Sequence, residues 1–354
     1  MSNKKLIILG AVAVIMALLA IVQSYISNRP VRTMTMDSPL IQGLKTSDID
    51  RIILGPPDKM LTLKKGDDQF FLVDKDDYPA STQQINNLIT SSLDIRIKEL
   101  ITDNPKNFKD LDLTPDTATS VIKFLNAEEK LITGILVGKR DEMAKGDYVR
   151  LISMDQDVDQ KAYLSINVPF LDMTALSYLD KSLFKTEKQA ITKVTVIGPG
   201  GKYTVSSGDD NKITLNNIPS GKKVKETIYE SVFSAVTDLT FSDVEKESDD
   251  TRKLDFKTAY ICFLKNTGIY TFLLAEKDDK TFIKCSSDFK DKEPVRVKKG
   301  VAESDELLKK KEAKLLAREA SLNFNKRHRG WVYQIPSWKA VDMTRKLEDL
   351  LEDK

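Results

Sequence analysis

Histidine is almost missing: His328 is the only one in 354 residues. Any Ser-His-Asp or Cys-His nucleophilic centre would have to use it. It stands in Lys326-Arg327-His328-Arg329-Gly330, among cations that disfavour an imidazolium, so it reads as a surface or packing histidine. Cysteine is nearly as scarce, with Cys262 and Cys285 alone. One histidine and two separated cysteines do not supply the usual zinc ligand set. An oxidising compartment would permit a disulfide. However, the two cysteines fall on the first and third strands of a predicted meander. With ~4.8 Å per strand they stand nearly 10 Å apart, beyond the ~7 Å that a bridge can span. Free, buried thiols are expected. Net charge is absent too, with 55 Lys+Arg against 53 Asp+Glu. No field is available to gather polyanions, and nucleic acid is not an expected partner. The glycine-rich Gly198-Pro199-Gly200-Gly201 lacks the Lys-Ser/Thr of a P-loop and leads into a strand, not a helix. It reads as a turn; neither ATP nor any other cofactor is expected.

Long apolar runs are also lacking, with one exception. Leu6 to Val22 carries no charge and follows Lys4 and Lys5. At ~1.5 Å of rise per residue it approaches the ~30 Å of a bilayer core. A secretory signal peptide begins in the same way, but Val22-Gln23-Ser24 is a poor cleavage site and no lipid-accepting cysteine follows. An uncleaved anchor over 1–28 is the preferred reading. It makes the membrane a partner: a single-pass protein of the cytoplasmic (inner) membrane with the bulk of the chain in the periplasm. Elsewhere 41% hydrophobic and 31% charged residues suit globular, not multi-span, material.

The remainder reads as a repeat. Ile49–Pro57 aligns with Ile191–Gly201, and Leu61–Val73 with Tyr203–Leu215. Apolar residues then coincide at Leu61/Tyr203, Leu63/Val205, Phe71/Ile213 and Val73/Leu215, with period two. Between the paired strands stand Gly66-Asp67-Asp68 and Gly208-Asp209-Asp210. Adjacent aspartates beside glycine suit a metal-dependent nucleotidyl transferase and equally a hairpin turn. Their recurrence at matching places favours the turn. Asp74, Asp76 and Asp77 lie close together without calcium-loop spacing, so a solvated loop is preferred to a metal site. No metal is expected.

Each copy continues into a predicted helix. One follows Pro79-Ala80-Ser81, with Ile85, Leu88, Ile89 and Leu93 on one face; the other follows Pro219-Ser220, with Val224, Ile228, Val232 and Val236. A short strand and a three-strand meander close each unit. The expected fold is therefore α+β: an N-terminal transmembrane helix, then two tandem, structurally similar α+β units with mostly antiparallel sheets. The first unit spans 29–188. The second spans 189–354 and carries a helical insertion at 302–323. In that insertion Leu307, Leu308, Leu315 and Leu316 recur at helical spacing. Packing of the leucine face is the plainer reading; a partner-binding arm is the sharper one. Beyond it, Trp331, Tyr333, Ile335 and Trp338 are expected in the core.

Several phrases resemble the family called domain of unknown function 4340. They are Leu111-Asp112-Leu113-Thr114-Pro115, Ile135-Leu136-Val137-Gly138, Tyr148-Val149-Arg150 and Leu179-Asp180-Lys181-Ser182-Leu183-Phe184. The resemblance runs from about Asp50 to Ser207 and more loosely through the second half. It implies one membrane segment, an extracytoplasmic repeat, and ABC-type transporter subunits of the gliding-motility kind, or related membrane proteins, as partners. It supplies no catalytic residues. The expected function is a non-enzymatic, membrane-anchored scaffold or partner-binding subunit. The alternative is an extracytoplasmic ligand-binding or carboxylate-dependent hydrolytic protein.

Overall fold

The computed structural model describes residues 38–354 except 68, 144, 154–159, 173, 209, 226–227, 290–294 and 296–303. The expected anchor therefore lies outside the described residues. Among those described, no helix is long and apolar enough to cross a membrane. The protein is mostly antiparallel β-sheet with few helices. Its chain divides into two compact units, one of Met1–Phe70 with Thr82–Met173 and one of Phe71–Ser81 with Thr174–Lys354.

The first unit contains β1 (Arg51–Gly55), β2 (Leu61–Lys65), α1 (Thr82–Leu93), β3 (Arg96–Thr102), β4 (Ser120–Leu125), β5 (Leu131–Asp141), β6 (Gly146–Ser153) and β7 (Ala162–Ile166). Its strands lie in the order β3-β7-β6-β5-β4-β1-β2. Alternation fixes the buried face: Ile52 opposes Leu63 and Phe124, and Leu54 opposes Leu61 and Ile122. All six are at most 5% exposed. Helix α1 buries Ile85, Leu88, Ile89 and Ser92. The expected Leu93 is only half-buried, and Ser92 takes the inner place by donating its hydroxyl to the Leu88 carbonyl at 2.8 Å.

The second unit contains β8 (Ile191–Gly198), β9 (Gly201–Ser207), β10 (Ile213–Leu215), α2 (Ile228–Ser234), β11 (Asp243–Lys246), β12 (Thr258–Leu264), β13 (Gly268–Lys277), β14 (Lys280–Phe289), α3 (Asp305–His328), β15 (Trp331–Ile335) and α4 (Ser337–Thr344). The strand order is β11-β15-β14-β13-β12-β8-β9-β10. This repeats the order of the seven strands named for the first sheet, with β3 answering to β11, β7 to β15 and Phe70–Leu72, beyond β2, to β10; Ser38–Pro39 and Tyr78–Pro79 at the edges of the first sheet have no counterpart. In both, a strand between the first helix and the meander pairs with the last strand of the sheet.

Two expectations change here. The aligned pairs Phe71/Ile213 and Val73/Leu215 are out of step by one residue. Gly66 N–H reaches the Gln69 carbonyl, whereas Gly208 N–H reaches that of Lys212, one residue further on. Phe70 and Leu72 thus take the places of Ile213 and Leu215. A one-residue slip exchanges the two faces of a strand; Leu72 is fully buried and Val73 is 43% exposed. The predicted second helix is also shorter. Lys222–Val224 forms a strand against Leu351–Asp353, where Lys222 meets Asp353 at 2.5 Å and Lys223 meets Glu352 at 3.2 Å. Cross-strand charge pairing diverts this segment from the helical period.

Candidate functional site

The phrases that resembled a family converge on packing. In the first unit, Phe108, Leu113, Ala118, Val121, Leu136 and Ala162 form a buried cluster, with Leu111 and Tyr148 against its edge. Gly138 lies so near the Leu111 carbonyl that a Cβ would stand 2.1 Å from its oxygen. Only glycine allows that approach, and the neighbouring Lys139 N–H donates to the same carbonyl at 3.1 Å. The Arg150 guanidinium sits over the Phe108 ring at 4.6 Å, and the Tyr148 hydroxyl donates to Asp141 at 2.8 Å. These side chains hold one another.

In the second unit, Leu179–Phe184 enters a buried polar and aromatic cluster. Arg327 donates to the carbonyls of Asp180 at 3.2 Å and Ser182 at 3.0 Å, and pairs with the Asp180 carboxylate at 2.9 Å. Next to it His328, 2% exposed, packs on Phe324 at 4.4 Å and shares a 2.8 Å hydrogen bond with the Tyr333 hydroxyl. Burial, and then the Arg327 charge, hold the His328 imidazole down at about 3. It is therefore neutral at physiological pH and lies in the core, which makes it a packing histidine. The Tyr78 ring, from the segment Phe71–Ser81, stands edge-on to Trp331 at 5.0 Å, Phe241 at 5.5 Å and Tyr333 at 6.1 Å. Burial raises the Tyr78 hydroxyl above its ordinary range, with Arg327 opposing. That hydroxyl faces Tyr333 and Arg327, but neither it nor Arg327 Nε makes a hydrogen bond of good geometry among the described residues.

The other candidates fall into place around these clusters. Cys262 and Cys285 are free and buried, with burial pushing the Cys262 thiol up to about 12. Tyr270 and Phe272 of the intervening β13 face them. Asp67 sits at the β2 turn; Asp68 and Asp209 lie outside the described residues. Asp76 and Asp77 adopt left-handed backbone, with φ of 54° and 59°, as a turn requires. Among the described residues no group of three or more His, Cys, Asp or Glu is placed to hold a metal ion. Gly198-Pro199-Gly200-Gly201 is the tight turn joining β8 to β9.

Helix α3 departs from the plainer expectation. Ser304 caps its start, accepting from the Leu307 N–H at 3.4 Å. Its buried residues are Ala317, Ser321 and His328. Leu307, Leu308, Leu315 and Leu316 are 44%, 46%, 51% and 58% exposed, and Leu322 is 61% exposed. Small residues, not the leucines, form the packed face, because β14 approaches closely enough for Asn325 to bond its backbone. Trp338, on α4, is likewise 66% exposed instead of buried, with Lys339 over its ring at 4.8 Å. Trp331 is half-buried, while Tyr333 and Ile335 are core as expected.

Residues 71–259, just over half of the chain, match the family described as domain of unknown function (DUF4340). The match begins and ends later than the resemblance read from Asp50 to Ser207. No curated protein and no solved structure matches the chain.

Proposed function

Because the chain belongs to the DUF4340 family, we propose that it is a non-enzymatic, membrane-anchored extracytoplasmic component of an ABC-transporter-associated assembly of the gliding-motility kind. Two copies of one sheet unit serve as scaffold, and α3 serves as the arm that binds a partner. The anchor over 1–28 places the protein in the inner membrane, single-pass, with its bulk in the periplasm.

The observation that carries this reading is the exposed leucines of α3. Burying a leucine stabilises by about 1.5–3 kcal/mol, yet five on one helix remain in water. Leu308, Leu315 and Leu322 recur every seventh residue, the spacing with which one helix meets another. The family phrases support the same reading, since each is consumed by packing.

The test places a photo-crosslinking side chain at Leu308 in the full-length protein, in native membranes, and compares the same probe in a Leu315→Ser/Leu316→Ser background. Crosslinks to transporter subunits that vanish in the double variant, at unchanged protein level and melting temperature, are expected. Undiminished co-purification of those subunits with the double variant would sink the reading. The alternative, a ligand-binding protein, has one feature in its favour: a cleft in the second unit.

A further inference from the structure

That cleft, of about 510 Å³, opens in the second unit between the β8–β9 turn and the segment that follows α4. Its size falls within the ~300–1,000 Å³ of small-molecule sites. Val196, Tyr203 and Leu274 supply an apolar floor and are at most 5% exposed. Burial raises the Tyr203 hydroxyl far above its ordinary range, so it stays protonated. It donates to the backbone carbonyl of Arg345 at 2.9 Å. The Arg345 side chain is held as well. Its Nε donates to Asp342 at 3.3 Å, and Asp342 is fixed in turn by the Ser231 hydroxyl at 2.9 Å. Only Nε is engaged; the two terminal amino groups of this cleft-lining guanidinium meet no partner among the described residues.

Most other charges of the lining are committed. Lys257 pairs with Asp255 at 2.9 Å. Asp349 accepts the Lys346 N–H at 3.0 Å, and the Lys346 ammonium lies 3.6 Å from Glu348. Glu276 is exposed and has no such partner among the described residues. It stands two residues from Leu274 on β13 and so projects from the same face of the strand. The Arg345 charge is thus balanced by Asp342 while its two terminal amino groups stay open, and the Glu276 carboxylate has no ion-pair partner among the described residues, in a cleft with an apolar floor. An anion alone would leave Glu276 unopposed, and a cation alone would leave the terminal donors of Arg345 without an acceptor.

We propose that this cleft binds a small zwitterion, an α-amino acid or a short peptide with both termini free. Its carboxylate lies on the Arg345 fork and its ammonium group on Glu276. A held guanidinium suits a carboxylate because two parallel N–H donors match its two oxygens. No residue of α3 lines the cleft, so this site stands apart from the partner-binding arm.

Calorimetric titration of the full-length protein with alanine, trialanine, N-acetyl-trialanine and trialanine amide tests the assignment. Saturable binding of alanine or trialanine is expected, weakened about tenfold or more in both blocked forms. The alanine and trialanine arms separate amino acid from peptide. Glu276→Gln should remove the penalty for acetylation, and Arg345→Met the penalty for amidation. Should Arg345→Met fail to fold, the exposed Glu276→Gln decides alone. The proposal is overturned if neither zwitterion binds saturably, if the blocked forms bind as well as the free ones, or if Glu276→Gln leaves their ratio unchanged.

Discussion

At Tyr78 a ring and its hydroxyl are both withdrawn from water, and the two parts act on stability in opposite directions. The ring fills a space walled by Phe241, Trp331 and Tyr333. The hydroxyl faces Tyr333 and Arg327 there but makes no hydrogen bond of good geometry among the described residues. Tyr78→Ala should therefore cost about 3–5 kcal/mol, the usual penalty for an emptied aromatic site. Tyr78→Phe should leave stability within about 1 kcal/mol of the parent or raise it, because it deletes an unsatisfied group. Urea unfolding of both variants checks the pair; a Phe variant as damaged as the Ala variant would show that the hydroxyl is bonded. His328 makes a pH prediction. Its folded value of about 3 lies below its ordinary 6.5, so the unfolded chain takes up the proton first. This contribution is complete above about pH 6.5 and is lost as pH falls toward about 3, at no more than about 1.4 kcal/mol per pH unit. His328→Gln should flatten the difference in urea midpoints between about pH 7 and pH 4 relative to the parent. An unchanged pH slope would place the imidazole in water.

Among the elements, β14 carries a liability that α3 relieves. β15 pairs with β14 only at Thr281, Phe282 and Ile283. From Lys284 to Phe289 that edge meets no strand among the described residues, and open edges recruit other chains. The Asn325 amide donates to the Ser287 carbonyl at 2.7 Å and accepts its N–H at 2.8 Å, replacing a strand at that one residue. Asn325→Ala leaves both backbone groups without their partner. It should cost about 1–3 kcal/mol and promote aggregation. Melting followed by light scattering tests this; a variant that melts and scatters like the parent would assign the sealing of the edge to other residues of the helix. The exposed leucines of α3 flank that packed face, Leu315 and Leu322 beside Ser321 and Asn325, and belong to the arm we propose.

For the whole molecule, chain order and packing order differ. Phe71–Ser81 stands in sequence between β2 and α1 of the first unit, yet it packs into the second. Tyr78, Pro79 and Ala80 bring the second unit an aromatic ring and a bridge from Ala80 to Leu179. A fragment of 174–354 lacks that segment. It is expected to melt at a lower temperature, and less cooperatively, than the same residues do in the full-length protein. Calorimetry of fragment and full chain decides; coincident transitions would mean that 71–81 is dispensable to the second unit. The order shared by the strands common to the two sheets fits duplication of one ancestral unit, the origin we propose for the repeat.

Strand period, turn glycines and the first helix were legible in the sequence, because each rests on neighbours a few residues apart. Alternation placed Leu61, Leu63, Tyr203 and Val205 inward, and the meanders of β4–β6 and β12–β14 followed from it. Strand count also determined that Cys262 and Cys285 would stay apart. The register after Gly66, the strand at Lys222–Val224 and the exposure of the leucines on α3 were decided by tertiary structure alone. A turn shorter by one residue exchanges the faces of the strand that follows it. Opposite charges more than a hundred residues away outweigh a helical period. The packed side of a helix depends on how closely its neighbour approaches, and here β14 came near enough to select alanine and serine over leucine. Long-range partners have no local signature, and for that reason the cleft at Arg345 and the arm carrying Tyr78 emerged only when the chain was folded.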